Sequence, residues 1–128
     1  MLFSNFNGKG TYYEPVFTWV DTVAPTANTF IDSKFFGKEY ENDLLVGSVK
    51  QGRIFHFNLN ETRTGLDLPQ QLVDKMANVD EELDPVTIGR NFGIITDIEI
   101  NPYDDKIYVV DGQSKNGKIY QIYPKELN

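Results

Sequence analysis

Asn42-Asp43-Leu44-Leu45-Val46-Gly47-Ser48-Val49-Lys50-Gln51-Gly52-Arg53-Ile54-Phe55-His56-Phe57-Asn58-Leu59 is the stretch that decides the fold. It reads as an apolar, β-branched run, a polar turn containing Gly52, and a second apolar and aromatic run, the pattern of a β-hairpin. A second copy follows: Asp104-Asp105-Lys106-Ile107-Tyr108-Val109-Val110-Asp111, then Gly117-Lys118-Ile119-Tyr120-Gln121-Ile122-Tyr123. The copies sit about 63–65 residues apart, and hairpins at a fixed period point to propeller blades or another repeat array, in which one unit cannot bury its own faces.

Outward from the hairpins, Thr26 to Asp32 is a short strand candidate and Thr62 to Leu68 an outer one. Gly93 to Asn101 precedes the second hairpin as a further strand, and Pro124 ends it. The expected organisation is therefore a single partial domain over residues 1–128, with blade-like units at about 26–68 and 93–123. Tyr12 to Val20 is aromatic and β-branched, interrupted by Pro15. It is the expected strand to complete the second unit, which has no fourth strand of its own and would otherwise leave an open edge. Residues 1–10 read as a polar lead-in. Between the units, Leu72, Val73, Met76 and Val79 recur at helical spacing after Pro69, which predicts a short helical excursion near 69–83.

With 40% hydrophobic and 13% aromatic residues, the chain has the composition of a packed protein and not of a disordered one. A formal charge of -7 with scattered Lys and Arg argues against nucleic acid, which calls for a basic stripe. No apolar run approaches the ~20 residues of a membrane span. Met1 to Gly10 lacks the charged-then-apolar pattern of a signal peptide. The chain has no cysteine, so disulfides, thiolate metal sites and cysteine nucleophiles are excluded.

Several segments together resemble the soluble pyrroloquinoline-quinone-dependent sugar dehydrogenases, the glucose/sorbosone dehydrogenase family. Val23-Ala24-Pro25-Thr26 followed by Thr29-Phe30 is similar to the family's lead into a late blade. Asn42 to Ser48 followed by Gly52-Arg53-Ile54 is similar to the next hairpin. Ile95-Thr96-Asp97-Ile98, Asn101-Pro102 and Ile107-Tyr108-Val109 are similar to the final blade. The resemblance covers most of residues 15–123 and implies an all-β fold, about two blades from the C-terminal part of a six-bladed β-propeller with antiparallel sheets.

The resemblance also carries functional expectations. The intact family oxidises an aldose at its anomeric carbon with the quinone PQQ as cofactor, in the periplasm or outside the cell. Its histidine base and calcium lie on earlier blades, so this chain is expected to hold no catalytic residue, no calcium site and no activity alone. Lys50 occupies the position of a family lysine at the quinone, where a cation offsets desolvation of a tri-carboxylate. The family's Arg-x-Arg-Asp strand reads Ile94-Ile95-Thr96-Asp97 here. Thr96 and Asp97 stand at cofactor positions, while both arginines are replaced, by Ile94 and Thr96. The resemblance places Lys50 and Thr96 at one axial region.

Two functional readings follow: a C-terminal fragment of a sugar-dehydrogenase-like enzyme, or a non-enzymatic propeller that has lost the quinone site and binds a ligand or a protein. Read from the residues alone, Lys50 is a solvated turn lysine and His56 a structural histidine. Asp97 is a strand-start acid serving backbone N–H groups. Asp80-Glu81-Glu82 with Asp84 lacks calcium-loop spacing and reads as a solvated loop. Asp104 and Asp105 cap a turn. Tyr13, Phe17 and Trp19 are either a sugar-stacking platform or core. Open blade faces predict self-association, a trimer closing a six-bladed ring or a dimer, unless the remaining blades supply the partner.

Overall fold

The computed structural model describes residues 7–124, and the first six residues of the expected lead-in lie outside them. The chain is predominantly strand, arranged in antiparallel sheets. Pro25–Phe30 (β2), Leu44–Ser48 (β3), Ile54–Leu59 (β4) and Leu66–Asp67 (β5) follow one another up and down in a first sheet. Thr87–Gly89 (β7) joins β4 beside β5. Ile95–Ile100 (β8), Ile107–Asp111 (β9) and Lys118–Ile122 (β10) form a second, three-stranded sheet. Both repeated hairpins are present, β3–β4 and β9–β10.

Period-two alternation gives the first sheet two apolar faces. Leu45 pairs with His56 and Gly47 with Ile54 on one face, and Leu44 pairs with Phe57 and Val46 with Phe55 on the other. The face carrying Leu45 and Ile54 packs on Ile95, Ile98, Ile107 and Val109 of the second sheet. The approach is close because Gly47 carries no side chain. A Cβ there would lie 2.5 Å from Ile95 Cγ2 and 3.0 Å from Ile98 Cδ1. Thr26 Oγ1 also donates to the Ile95 carbonyl at 2.6 Å, tying β2 to β8.

The opposite face, Val46, Phe55 and Phe57, is covered by Phe17, Leu72, Ala77, Leu83 and Val86. This corrects the expectation for Tyr12 to Val20. Only Thr18–Trp19 (β1) is strand, and it pairs in parallel with Met76–Ala77 (β6), not with β10. The aromatic residues explain the choice. Phe17 lies 5.0 Å from Phe57, and Trp19 lies 4.9 Å from Phe17 and 5.8 Å from Phe55, ring centroid to centroid. Burying these rings on an aromatic sheet face outweighs capping an edge. Phe17 and Trp19 thus belong to this packing, while Tyr13 is exposed.

The excursion is helical, as expected, but only in short turns. Short 3-10 segments at Gln70–Leu72 and Asp80–Val86 flank β6. Of the four residues at helical spacing only Leu72 is buried; Val73, Met76 and Val79 are exposed. Lys75 at φ 65 and the β1–β6 pairing break the helix before it can propagate. No helix among the described residues is long and apolar enough to cross a membrane.

The sheet-to-sheet joint makes Gly47 the most sensitive position on the β3 strand. Gly47→Val is expected to cost about 1–3 kcal/mol through overpacking against Ile95 and Ile98. Urea unfolding measures it. A loss within error of zero would mean that the two sheets do not meet there.

Candidate functional site

The β3–β4 turn and the loop leading into β8 meet at one end of the two sheets. The turn is closed by Ser48, whose amide donates to the Arg53 carbonyl at 3.0 Å, and anchored by Lys50 N–H donating to the Val23 carbonyl at 3.3 Å. Phe92 N–H donates to the Gly52 carbonyl at 3.0 Å, joining the β8 loop to the turn. Behind this contact lies Asp111, a carboxylate at the end of β9 that is only 2% exposed. Its Oδ1 accepts from Ile94 N–H at 2.9 Å and from Gln113 N–H at 3.3 Å, and its Oδ2 accepts from the Gln113 side-chain amide at 3.2 Å. Gly93 sits against that carboxylate with φ 79, and a Cβ would collide with Asp111 and Gln113. Backbone conformation and close approach both require glycine here.

The expected site residues fall around this end. Lys50 is exposed in the turn, and its ammonium makes no ion pair or hydrogen bond among the described residues. Thr96 and Asp97 lie at the irregularity in β8 where the register to β9 shifts. Thr96 Oγ1 donates to the Val110 carbonyl at 3.4 Å, and its methyl faces Gly112. Asp97 Oδ1 accepts from Ile98 N–H at 3.0 Å. The structure brings the Lys50 turn against the loop preceding Thr96, but no hydrogen bond or ion pair joins Lys50 to Thr96 or Asp97 among the described residues.

Other polar groups gather nearby and were not legible as a site. Arg53, buried, donates to Asp80, whose second carboxylate oxygen accepts from the Gln51 amide at 3.1 Å. The acidic stretch is therefore not wholly solvated: Asp80 holds the turn, Asp84 pairs with Arg90, and Glu82 accepts from Asn78 N–H at 2.7 Å. Further along β4, His56 Nε2 donates to Asp43 Oδ2 at 3.0 Å, Asp43 Oδ1 accepts from Leu59 N–H at 3.1 Å, and the Tyr40 ring lies tilted against His56 with centroids 4.9 Å apart. Asp43 and Glu82 thus hold backbone N–H groups, while Asp80 and Asp84 pair with side chains.

Tyr40 also reaches a second feature, an apolar cavity of about 350 Å³ between the sheets. Leu45 and Ile54 line it from the first sheet, Ile107 and Ile122 from the second, and Phe92 and Ile88 from the β7–β8 connection. It lies where the sheets diverge beyond their contact along β2, β3 and β8. The Tyr40 hydroxyl has no hydrogen-bond partner among the described residues. Such a size and lining suit a small apolar ligand with one polar group. No protein-family model and no curated protein matches this chain.

At the far end of the second sheet, the turn residue Asp104 accepts from Lys106 N–H at 3.2 Å and from the Tyr108 hydroxyl at 3.2 Å. Partial burial pushes its carboxyl up, but these bonds and the Lys106 ammonium outweigh that and hold it below the ordinary aspartate value. The folded value is depressed, so its contribution to stability is present above the unfolded pKa and fades as pH falls through the folded one. A carbon-detected NMR titration is expected to place the Asp104 midpoint below that of an unfolded aspartate, and Tyr108→Phe is expected to raise it. Asp111→Ala is expected to cost about 1–3 kcal/mol by removing the buried acceptor of the Ile94 and Gln113 N–H groups, and Asp111→Asn less. Denaturant melts of both variants decide whether the carboxylate holds this end together; no loss of stability in Asp111→Ala would show that it does not.

Proposed function

We propose that this chain forms two neighbouring blades of a β-propeller-like protein and serves as a binding module for a small apolar molecule. The up-and-down strand order in both sheets and the side-by-side contact of their first strands, β2 and β8, support the blade reading. The observation that carries the function is the cavity between the sheets. Both sheets supply its apolar wall, and Tyr40 is the lining residue whose side chain carries a hydroxyl. A ligand with an aliphatic or aromatic body and a single acceptor matches that wall. The acids near the sheet ends do not compete with this role, because Asp43, Asp97 and Asp111 are engaged by amide or imidazole donors.

The second reading is a quinoprotein sugar dehydrogenase-like activity of a longer protein, and the free, exposed ammonium of Lys50 favours it. The residues at the other expected cofactor positions weigh against a tri-anionic quinone. Thr96 is neutral, Asp97 adds a carboxylate, and Arg53 is committed to Asp80. These residues do not fit the cofactor, and no step of sugar oxidation is assigned to them.

Fluorescence titration with the neutral apolar dye N-phenylnaphthylamine tests the first reading. Saturable binding is expected, weakened at least about tenfold by Ile88→Trp, which fills the cavity from its mouth. Binding unaffected by Ile88→Trp and Leu45→Ala would overturn it. Calorimetric titration with PQQ, compared with Lys50→Ala, separates the second: Lys50-dependent heat supports the quinone and its absence rejects it.

A further inference from the structure

Three polar atoms are shut off from solvent without a protein partner among the described residues: Trp19 Nε1, Gln51 Oε1 and Arg53 Nη1. Burial without a partner is costly for such groups, so a cluster of them marks a place where another polar group belongs. Trp19 and Gln51 line one small cleft together with Asp21, Asn78 and Asp80. Arg53, 9% exposed, stands behind its wall, because its other terminal nitrogen and the Gln51 amide nitrogen hold the two oxygens of the Asp80 carboxylate. The volume of the cleft is about 20 Å³, room for one water-sized group.

The donor set selects the chemistry. The indole and guanidinium offer N–H groups and require an acceptor, while Gln51 Oε1 requires a donor. A cation would face two N–H donors. An anion would have nothing to give Gln51 and would sit beside Asp80 and Asp21. An oxygen that both accepts and donates satisfies the Trp19 N–H and the Gln51 carbonyl, the two orphaned groups whose residues line the cleft. We propose that this cleft is a hydroxyl site, holding the oxygen of one bound water or of one hydroxyl of a polyol, and that it fastens the Trp19 segment and the Asp80 loop to the β3–β4 turn. The site is separate from the cavity between the sheets and does not depend on its occupant.

Trp19 is the one tryptophan of the chain, so its indole N–H is an unambiguous NMR probe. Rotating-frame Overhauser spectra on the whole chain, with and without glycerol or glucose, separate the two sources. A water cross-peak at the indole N–H that polyol leaves unchanged supports bound water. A saturable indole shift on adding polyol, with loss of the water cross-peak, supports a polyol hydroxyl. In either case indole hydrogen exchange is expected to be slowed by at least the order of tenfold relative to free tryptophan, and Gln51→Met is expected to abolish most of that protection while the strand amides keep theirs. An indole proton exchanging as in free tryptophan, or unchanged by Gln51→Met, overturns the proposal. If Gln51→Met disturbs the turn, Asp80→Asn, which keeps the shape of its side chain, is expected to weaken the protection in the same direction, and no change there also counts against it.

Discussion

The missing side chain at Gly47 is the constraint on which the rest of the structure depends. It lets Ile95 and Ile98 of the second sheet sit on the backbone of the first, with Leu45, Ile54 and Ala27 completing the contact. Any larger residue would hold the sheets apart by the width of a methyl group or more. The buried apolar cluster joining the two hairpin units lies along this seam, and burial of that kind is the dominant favourable contribution to folding. The Thr26 hydroxyl to the Ile95 carbonyl gives the seam a fixed register.

That seam also places the functional features. Sheets in contact along β2, β3 and β8 but separated farther out leave the apolar cavity between β3–β4 and β9–β10. At one end of the seam the two turns meet backbone to backbone, and the buried Asp111 carboxylate gathers the amides of Ile94 and Gln113 there. On the other side of the first sheet, Phe17, Trp19 and the 69–92 excursion take the place of a neighbouring sheet. One of the two faces expected to drive self-association is thus covered from within the chain. The second sheet keeps Ile119, with Val110 and Tyr108 beside it, on its outward face.

The hairpins were legible because local alternation and a Gly-containing turn sufficed to specify them, and each strand of Leu44–Ser48 and Ile54–Leu59 lies within a residue or two of its expected place. The excursion is helical only in the short turns Gln70–Leu72 and Asp80–Val86, because the helical period of Leu72, Val73, Met76 and Val79 is overridden between them by tertiary pairing at Met76–Ala77. Trp19 and Ala77 meet across 58 residues of sequence, a contact no local pattern announces. The same holds for the polar groups. Arg53 and Asp80 are 27 residues apart, and Asp111 is recognised as a clamp only once Gly93 is seen packed against it. Lys50, Thr96 and Asp97 were chosen through family resemblance, and the structure gives each a turn or β8 position without joining Lys50 to the other two.

Native-state hydrogen exchange in low urea tests most directly the claim that the seam makes one unit of the two sheets. The strand amides of β3 and β4 and those of β8 and β9 are expected to converge on one opening free energy and one urea dependence, as a single cooperative unit does. Exchange of β8 and β9 through a separate opening of lower free energy, with β3 and β4 still protected, would contradict it.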